Sequence, residues 1–496
     1  MATPDEYPQT SIESCPRRAT IDRVVGSATS RSWDETTENG IDVTDTRSKR
    51  NTAEAIWSTG VRTVDSQQLV KNVVRREGDA LVICDETFRV ADINRIVVVG
   101  AGKAGAGMAD GFEQAVGEEL VQSKVSGWVN VPSDCVRRLK KIHLHAARPA
   151  GVNEPVPEGV EGTQQILKRV ASLGANDLCI VLLSGGGSAL LPAPADGISL
   201  DDKQAITRML MESGATINEL NCVRKQLSRV KGGGLARATS AGRLLTLIIS
   251  DVIGDPLDVI ASGPTVFDRS TPADALSVLD KHIPLGDIPA SVRDVLRHNA
   301  SHSPAPSALS NGVSQHVIGN NAVALEAAAV EARRLGYSVH SLGSDNQGEA
   351  RDLGAQLAER CLAIRDQAEP LAAPACVLMG GESTVHLAPT DQPRKGGRNQ
   401  ELVLAGLDRL FDERIDGIVL LSGGTDGEDG PTDAAGAVAD ALVVDSARQQ
   451  DLAPRDFLAI NNSYEFFDLT GGLVKTGPTH TNVMDLSVTL VEPRHQ

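Results

Sequence analysis

Apolar residues come in short unbroken runs that alternate with amphipathic stretches along most of the chain. Ile96 to Val99, Val125 to Val131, Leu178 to Leu183 and Leu244 to Ile249 are such runs in the first half. Gln315 to Ile318, Val339 to Leu342, Cys376 to Met379 and Ile418 to Leu421 follow in the second. A short apolar run bounded by glycine or polar residues predicts a strand buried on both faces. Between the runs, apolar positions recur at helical spacing in Ala104 to Val116, Gly162 to Leu173, Asn321 to Leu335, Ala350 to Arg365 and Leu402 to Leu410. Strands alternating with helices predict an α/β fold, its sheet mainly parallel and covered on both faces.

The pattern also marks boundaries. Residues 1–50 are rich in Ser, Thr, Asp and Arg and keep no sustained period, so they are expected to form a disordered or weakly ordered extension. Order is expected from near Thr52, with helical patterning through Val61 and again from Ser66 to Arg76. The Ser/Pro stretch Ser301 to Asn311 interrupts the alternation and is the natural division between a domain over 51–300 and another over 312–469.

Composition narrows the class. A chain of 496 residues is long for one domain, and 41% hydrophobic content can fill sizeable cores. The formal net charge of −17 argues against non-specific nucleic-acid binding and against attraction to anionic membranes, so a phosphate would need a local basic site. The seven cysteines are scattered, with no zinc-type spacing, and fit a reducing, cytoplasmic setting. No apolar run approaches the ~18 residues of a membrane span, and no apolar stretch near the start suggests a secretory signal.

The chemistry lies in the loops. Gly396-Gly397-Arg398-Asn399-Gln400-Glu401 sets an arginine in a glycine loop before a helix, and Ser422-Gly423-Gly424-Thr425-Asp426-Gly427-Glu428-Asp429-Gly430 sets carboxylates after a strand. Guanidinium in one loop and carboxylates in another suit a phosphorylated ligand and its metal. Gly100-Ala101-Gly102-Lys103-Ala104-Gly105 matches GxGxxG between a strand and a helix. A dinucleotide site would explain the glycines. However, Lys103 would sit directly against phosphate, and the next strand closes in Pro132 without the acidic residue that binds a ribose. A tight turn with no ligand is the structural alternative.

Ser184-Gly185-Gly186-Gly187-Ser188 offers a nest of backbone N–H groups and two hydroxyls; it lacks the GxSxG spacing of a serine nucleophile. Val223 to Lys231 is a basic stretch that runs into a triglycine, where Arg224, Gln226 or Lys231 could face a ligand or merely solvent. Ser250-Asp251 stands at a strand end, where open α/β sheets bind ligands, with Asp251 a candidate for metal or base and Asp255 for a turn cap. Gly380-Gly381-Glu382-Ser383-Thr384 and the Ser262-Gly263-Pro264-Thr265 and Thr476-Gly477-Pro478-Thr479 turns complete the set.

Together these loops resemble the glycerate 2-kinase family, whose C-terminal part is known as the MOFRL domain. The resemblance is carried by VVVGAGKAG (Val97 to Gly105), LLSGGGSALL (Leu182 to Leu191), VRKQLSRVKGG (Val223 to Gly233), SDVIGDPLDVIASGPT (Ser250 to Thr265), GGEST (Gly380 to Thr384), GRNQEL (Gly397 to Leu402), GGTDGEDGPTDAAGA (Gly423 to Ala437) and TGPTHTNVMDL (Thr476 to Leu486), in family order. It implies ATP-dependent phosphorylation of D-glycerate at its 2-hydroxyl, with Mg²⁺. It also implies a larger Rossmann-like doubly wound domain and a smaller α/β domain with the site in the cleft, the tail 470–496 returning to the large domain.

In that family the lysine of GAGKA and the arginine of GGRNQE are regarded as essential, and they fall on Lys103 and Arg398. Catalytic candidates are thus Lys103, Arg398, Asp251 and Asp426, the two aspartates doubling as metal candidates. Phosphate-side candidates are Gly102, Lys103, Ser184, Gly185, Gly186, Gly187, Ser188, Lys231, Glu382 and Asn399. The expected partners are ATP and D-glycerate, with no nucleic acid and no membrane; assembly into a homo-oligomer is left open. Three departures from the family pattern stand out: His480 for a glycine, Asn462 for an aspartate, and Ala147 to Pro155 for an HPxPD-like segment. The rival readings are a nicotinamide-dependent 2-hydroxy-acid reductase and a non-catalytic nucleotide-binding regulator.

Overall fold

The computed structural model describes residues 43–302, 312–412 and 415–494. A small antiparallel sheet of β1 (Val74–Glu77), β2 (Ala80–Ile83) and β3 (Glu86–Arg89) precedes a six-stranded sheet. The latter comprises β4 (Ile96–Ala101), β5 (Val125–Pro132), β6 (Ile142–Arg148), β7 (Leu178–Leu183), β8 (Arg243–Ile249) and β9 (Val313–Gly319). Its order is β6-β5-β4-β7-β8-β9 and every pairing is parallel. Read along the chain this is 3-2-1-4-5-6, the doubly wound dinucleotide-fold order.

Alternate residues of the central strands feed opposite layers. Ile96, Val98, Ile180, Leu182 and Leu247 enter one core cluster, whereas Val97, Val99, Cys179, Val181 and Ile248 enter another. Every position of β4 and β7 is buried, which explains why they read as continuous apolar runs.

The second sheet has seven strands: β10 (Ser338–Ser341), β11 (Asn346–Glu349), β12 (Ala375–Thr384), β13 (Ile418–Gly424), β14 (Gly436–Ala439), β15 (Leu473–Val474) and β16 (Asp485–Val491). It runs β10-β12-β16-β13-β14-β15, with β11 also on β12. This sheet is mixed: β16 lies antiparallel between β12 and β13. The expectation of a mainly parallel sheet therefore holds for the first sheet only.

Three expected boundaries are corrected. The tail does not return to the first sheet, because β16 is buried along its whole length at the centre of the second and supplies Leu486, Val488 and Leu490 to its core. The division at 301–311 comes one strand early, since β9 still pairs with β8 and the chain crosses over only at Asn320. A helix over Val43–Thr63 begins within the stretch expected to be an extension, and residues 1–42 lie outside the described residues. That helix lays Ala53, Ile56, Trp57 and Val61 on the second sheet, and the Trp57 indole N–H donates to the Leu486 carbonyl at 3.1 Å. The next helix, Ser66–Val73, packs instead on Gly105–Val116 beside the first sheet.

Candidate active site

In a doubly wound sheet, ligands bind where neighbouring strands send their chains in opposite directions. Here that place lies between β4 and β7, the strands that carry the Lys103 loop and the triglycine loop. The two loops are stitched together. The Lys103 N–H donates to the Gly185 carbonyl at 2.9 Å, the Ser184 N–H to the Ala101 carbonyl at 3.2 Å, and the Ala104 N–H to Ser184 Oγ at 3.0 Å. Gly102 has φ 152°, and a Cβ there would collide with Ser184 Oγ. The glycine is thus required by the stitch itself, and Lys103 is delivered to the start of helix Gly105–Val116.

The Lys103 ammonium reaches across to the second sheet, 3.3 Å from Asp426 Oδ2 and 3.5 Å from Glu428 Oε2. Burial opposes its charge, but these two carboxylates outweigh burial and hold it above the ordinary lysine range. At the end of β8, Asp251 sits against Gly185, where a Cβ would fall inside contact distance of its carboxylate. Burial pushes the Asp251 carboxyl up to about 6, with Glu382 and Asp426 adding to the shift and Lys103 opposing it.

Arg398 opens helix Arg398–Leu410 from the second sheet. Asp429 receives the helix's free N–H groups, accepting from Asn399 N at 3.0 Å and Gln400 N at 2.9 Å. It is nevertheless deeply buried, and burial pushes its carboxyl up to about 6. The Arg398 guanidinium grips Asp485 with two nitrogens, at 2.6 and 3.0 Å, and Glu382 with the third, at 2.7 Å. Burial works against the guanidinium's charge, and Asp485 more than restores it.

These groups border one cavity of about 690 Å³, inside the range that holds small-molecule ligands. Lys103, Gly186, Asp251, Glu382, Arg398 and Asp426 all line it. The remaining expected residues stand behind its wall. Gly102, Ser184, Gly185 and Gly187 shape the stitched loops, and Ser188 pairs with Ser262 and Lys231. Asn399 is buried on Asp429, Asp485 and Ser422, where it orients the base of Arg398. Glu382 faces the cavity as a partner of Arg398.

Sequence reasoning passed over Arg148, Asp134, Glu428, Asn482 and Asp485. The first four line the cavity, and the last fixes Arg398. Asp485 and Asn482 stand in the TGPTHTNVMDL segment and Glu428 two residues after Asp426, so proximity to a motif was their available signal. Arg148 stands in the departing segment Ala147 to Pro155, and it is brought in by the end of β6.

Of the departures, His480 lines the cavity in left-handed backbone, φ 60°, which accounts for glycine being the usual residue there. Asn462 lies away from the cavity. Its amide oxygen accepts from Lys395 N at 2.9 Å while its NH₂ donates to Glu465, a pairing an aspartate would turn into repulsion.

Fold and site together define an α/β protein with anion-seeking lysine and arginine facing carboxylates across an inter-sheet cavity. Residues 52–297 match the family described as a domain of unknown function (DUF4147), and residues 375–485 match the MOFRL family. A glycerate kinase of Danio rerio is 38% identical over 90% of this chain and 98% of its own length. A putative hydroxypyruvate reductase of Agrobacterium vitis is 40% identical over 85% of this chain and 94% of its own. The crystal structure of a glycerate kinase from Thermotoga maritima is similar with a TM-score of 0.77 at 34% identity, covering 90% of this chain and 100% of that one. The chain belongs to the MOFRL-containing glycerate kinase family.

Proposed function

We propose that this protein is a D-glycerate 2-kinase, transferring the terminal phosphoryl group of ATP to the 2-hydroxyl of D-glycerate to give 2-phosphoglycerate and ADP. The reading is supported above all by the opposition of Lys103 and Arg398 across one cavity that also presents Asp251 and Asp426. Phosphoryl transfer asks for positioning and charge neutralisation, and little covalent help. Lys103 stabilises charge on the phosphate side, where its own carboxylate partners hold it protonated. Arg398, fixed by Asp485 and Glu382, offers a planar cation to the acceptor carboxylate or to the transferring group. Asp251 is the best-matched acceptor for the hydroxyl proton, since a carboxyl near 6 is ionised at neutral pH yet still basic.

Among the described residues no three potential ligands cluster as a ready-made metal cage. Mg²⁺ does not need one, because it is usually held by one or two carboxylates plus substrate phosphates, and Asp426 with Glu428 fits that donor set. When bound, the ion would supply charge neutralisation on the phosphate oxygens. The two sheets are proposed as two domains, the larger over 64–319 and the smaller over 320–494 with helix Val43–Thr63. A cytoplasmic location fits the cysteines, all unpaired among the described residues. No helix of the described residues is long and apolar enough to cross a membrane.

A nicotinamide-dependent reductase is the second reading. Asp134, just beyond β5 on the cavity wall, favours it, because an acidic residue near that place can take a ribose. Against it, Lys103 occupies the heart of the glycine loop. Incubation of the purified chain with D-glycerate and either ATP·Mg²⁺ or NAD(P)⁺, followed by ³¹P NMR and absorbance at 340 nm, separates the two. A 2-phosphate ester supports the kinase, and reduced nicotinamide without ester overturns it.

A further inference from the structure

Behind the triglycine loop lies a group of cations that the cavity does not use. Helix Leu200–Glu212 carries Lys203, helix Ile217–Gln226 carries Arg224, and Lys231 follows that second helix. Lys231 is buried, donating to the Ser188 carbonyl at 3.0 Å and to Ser188 Oγ at 2.8 Å, with the Ala261 carbonyl and Ser262 Oγ each at 3.5 Å. Lys203 is only 5% exposed, and among the described residues its ammonium meets no hydrogen-bond partner. The half-buried Arg224 likewise has no hydrogen bond or ion pair among the described residues.

The three groups disfavour one another's charged forms, and among the described residues no carboxylate offsets any of them. Burial lowers Lys203 to about 7 with Arg224 adding to the effect, and burial also pushes Lys231 well below the ordinary lysine range, with Lys203 and Arg224 both contributing. Asp258 and Asp268 pair instead with Lys225, on the same helix as Arg224. A buried cation without a partner is among the most expensive arrangements in a protein interior, and this chain carries a net charge of −17 from which a counter-charge could easily have been drawn. The turn that closes the group is strained as well, with Ala261 and Ser262 both left-handed at φ 51° and 60°. Strain of that kind gathers at ligand sites.

We propose that Lys203, Arg224 and Lys231 form a second anion-binding site, for a small oxyanion, behind the loop 184–188 and separate from the cavity that holds Lys103 and Arg398. The oxyanion completes the coordination that the protein leaves open: Lys203 and Arg224 donate to it, and Ser188 and Lys231 link it to the loop whose Gly186 lines the cavity. Two sources present this chemistry, free phosphate and the carboxylate of a small hydroxy acid. The site does not depend on the kinase reading, because binding is measured without turnover.

The test uses the full chain, with melting followed by fluorescence at constant ionic strength against sodium phosphate or D-glycerate, and sodium chloride as the reference salt. Wild type is compared with Lys103→Ala, Lys203→Met and Arg224→Gln. At least one of the two anions is expected to raise the melting temperature of wild type saturably. Its apparent Kd should weaken tenfold or more in Lys203→Met and in Arg224→Gln. A phosphate response that survives Lys103→Ala identifies a free oxyanion, and a response to D-glycerate alone identifies a carboxylate. Without any anion, Lys203→Met is expected to melt no lower than wild type, because an unpaired buried charge has been removed. If Lys203→Met fails to fold, the half-buried Arg224→Gln carries the comparison. No response to either anion in wild type, or an undiminished response in Lys203→Met and Arg224→Gln, overturns the site.

Discussion

Lys103 and Arg398 are held by opposite means, and each arrangement makes a different failure visible. Lys103 sits in a backbone stitch and leans on Asp426 and Glu428 across the cavity, while Arg398 is clamped by Asp485 and Glu382. Neither fills a core position, so alanine at either place should leave the fold intact by circular dichroism. Losing a cation that meets charge in the transition state is expected to lower kcat by about 10²-fold or more. Asp251 gives a pH signature. Its carboxyl, raised to about 6, is protonated below that value and ionised above, so wild-type kcat/KM should fall on the acid side of about pH 6. Asp251→Asn should lose most turnover and that acid limb together, without rescue by high Mg²⁺. The stability sign is opposite. A carboxyl whose folded pKa is raised stabilises the fold below the ordinary aspartate range, near 4, and that contribution is lost as pH rises through about 6. Asp251→Asn should therefore melt higher than wild type at pH 8, with the difference shrinking toward pH 4. His480→Gly removes a side chain from left-handed backbone and is expected to add up to ~1 kcal/mol, seen as a rise of about 1–2 °C in Tm.

Among the elements, helix Val43–Thr63 has the most to teach, because its first turns, through Arg50, looked like part of a polar tail. What orders it is distant in the chain. Arg50 donates to the fully buried Asp440 through Nε at 2.6 Å and Nη2 at 2.7 Å and also reaches the Gly471 carbonyl, while Asp440 caps helix Ala441–Gln449 through Val443 N. Removing one partner of such a pair leaves the other charge buried and alone. Arg50→Met is expected to cost about 3 kcal/mol in urea unfolding. Deletion through Arg50 should do at least as much harm, so the helix belongs to the fold that carries the site.

At the scale of the molecule, the site exists only because two sheets face each other. The tail segment 476–482 ties them together. The Thr481 hydroxyl donates to the Val64 carbonyl at 2.6 Å and Ser66 Oγ to the His480 carbonyl at 2.8 Å, while Asp485 at the start of β16 fixes Arg398. The last strand therefore serves both the core of the second sheet and the clamp on Arg398. A chain ending at Val483 is expected to lose the second sheet's cooperative melting transition and all turnover, because β12 and β13 would be left with unpaired inner edges. Retention of a native-like transition in that truncation would show that β16 is dispensable, contrary to its place at the centre.

The alternation of apolar runs and helical periods located β4, β7, β8 and β13 to within a few residues, because strands buried on both faces leave continuous apolar runs that only local sequence is needed to read. Glycine loops after β4, β8 and β13 pointed to Lys103, Asp251 and Asp426, and the glycine loop opening helix Arg398–Leu410 pointed to Arg398, since tight turns at element ends need glycine wherever they are. What the sequence could not settle was partnership over long separations. β16 alternates Leu486, Val488 and Leu490 with Ser487 and Thr489, a pattern proper to a half-solvated strand, yet all are buried, Ser487 against Ser422 of the neighbouring strand. Arg50 finds Asp440, Arg398 finds Asp485, and Lys203 finds no partner among the described residues, and none of these follows from spacing. Periodicity and turn chemistry are local and survive in one dimension. Charge balance, sheet order and the meeting of two loops across a cavity are set by which segments lie within a few ångströms in three, and only the tertiary structure decides that.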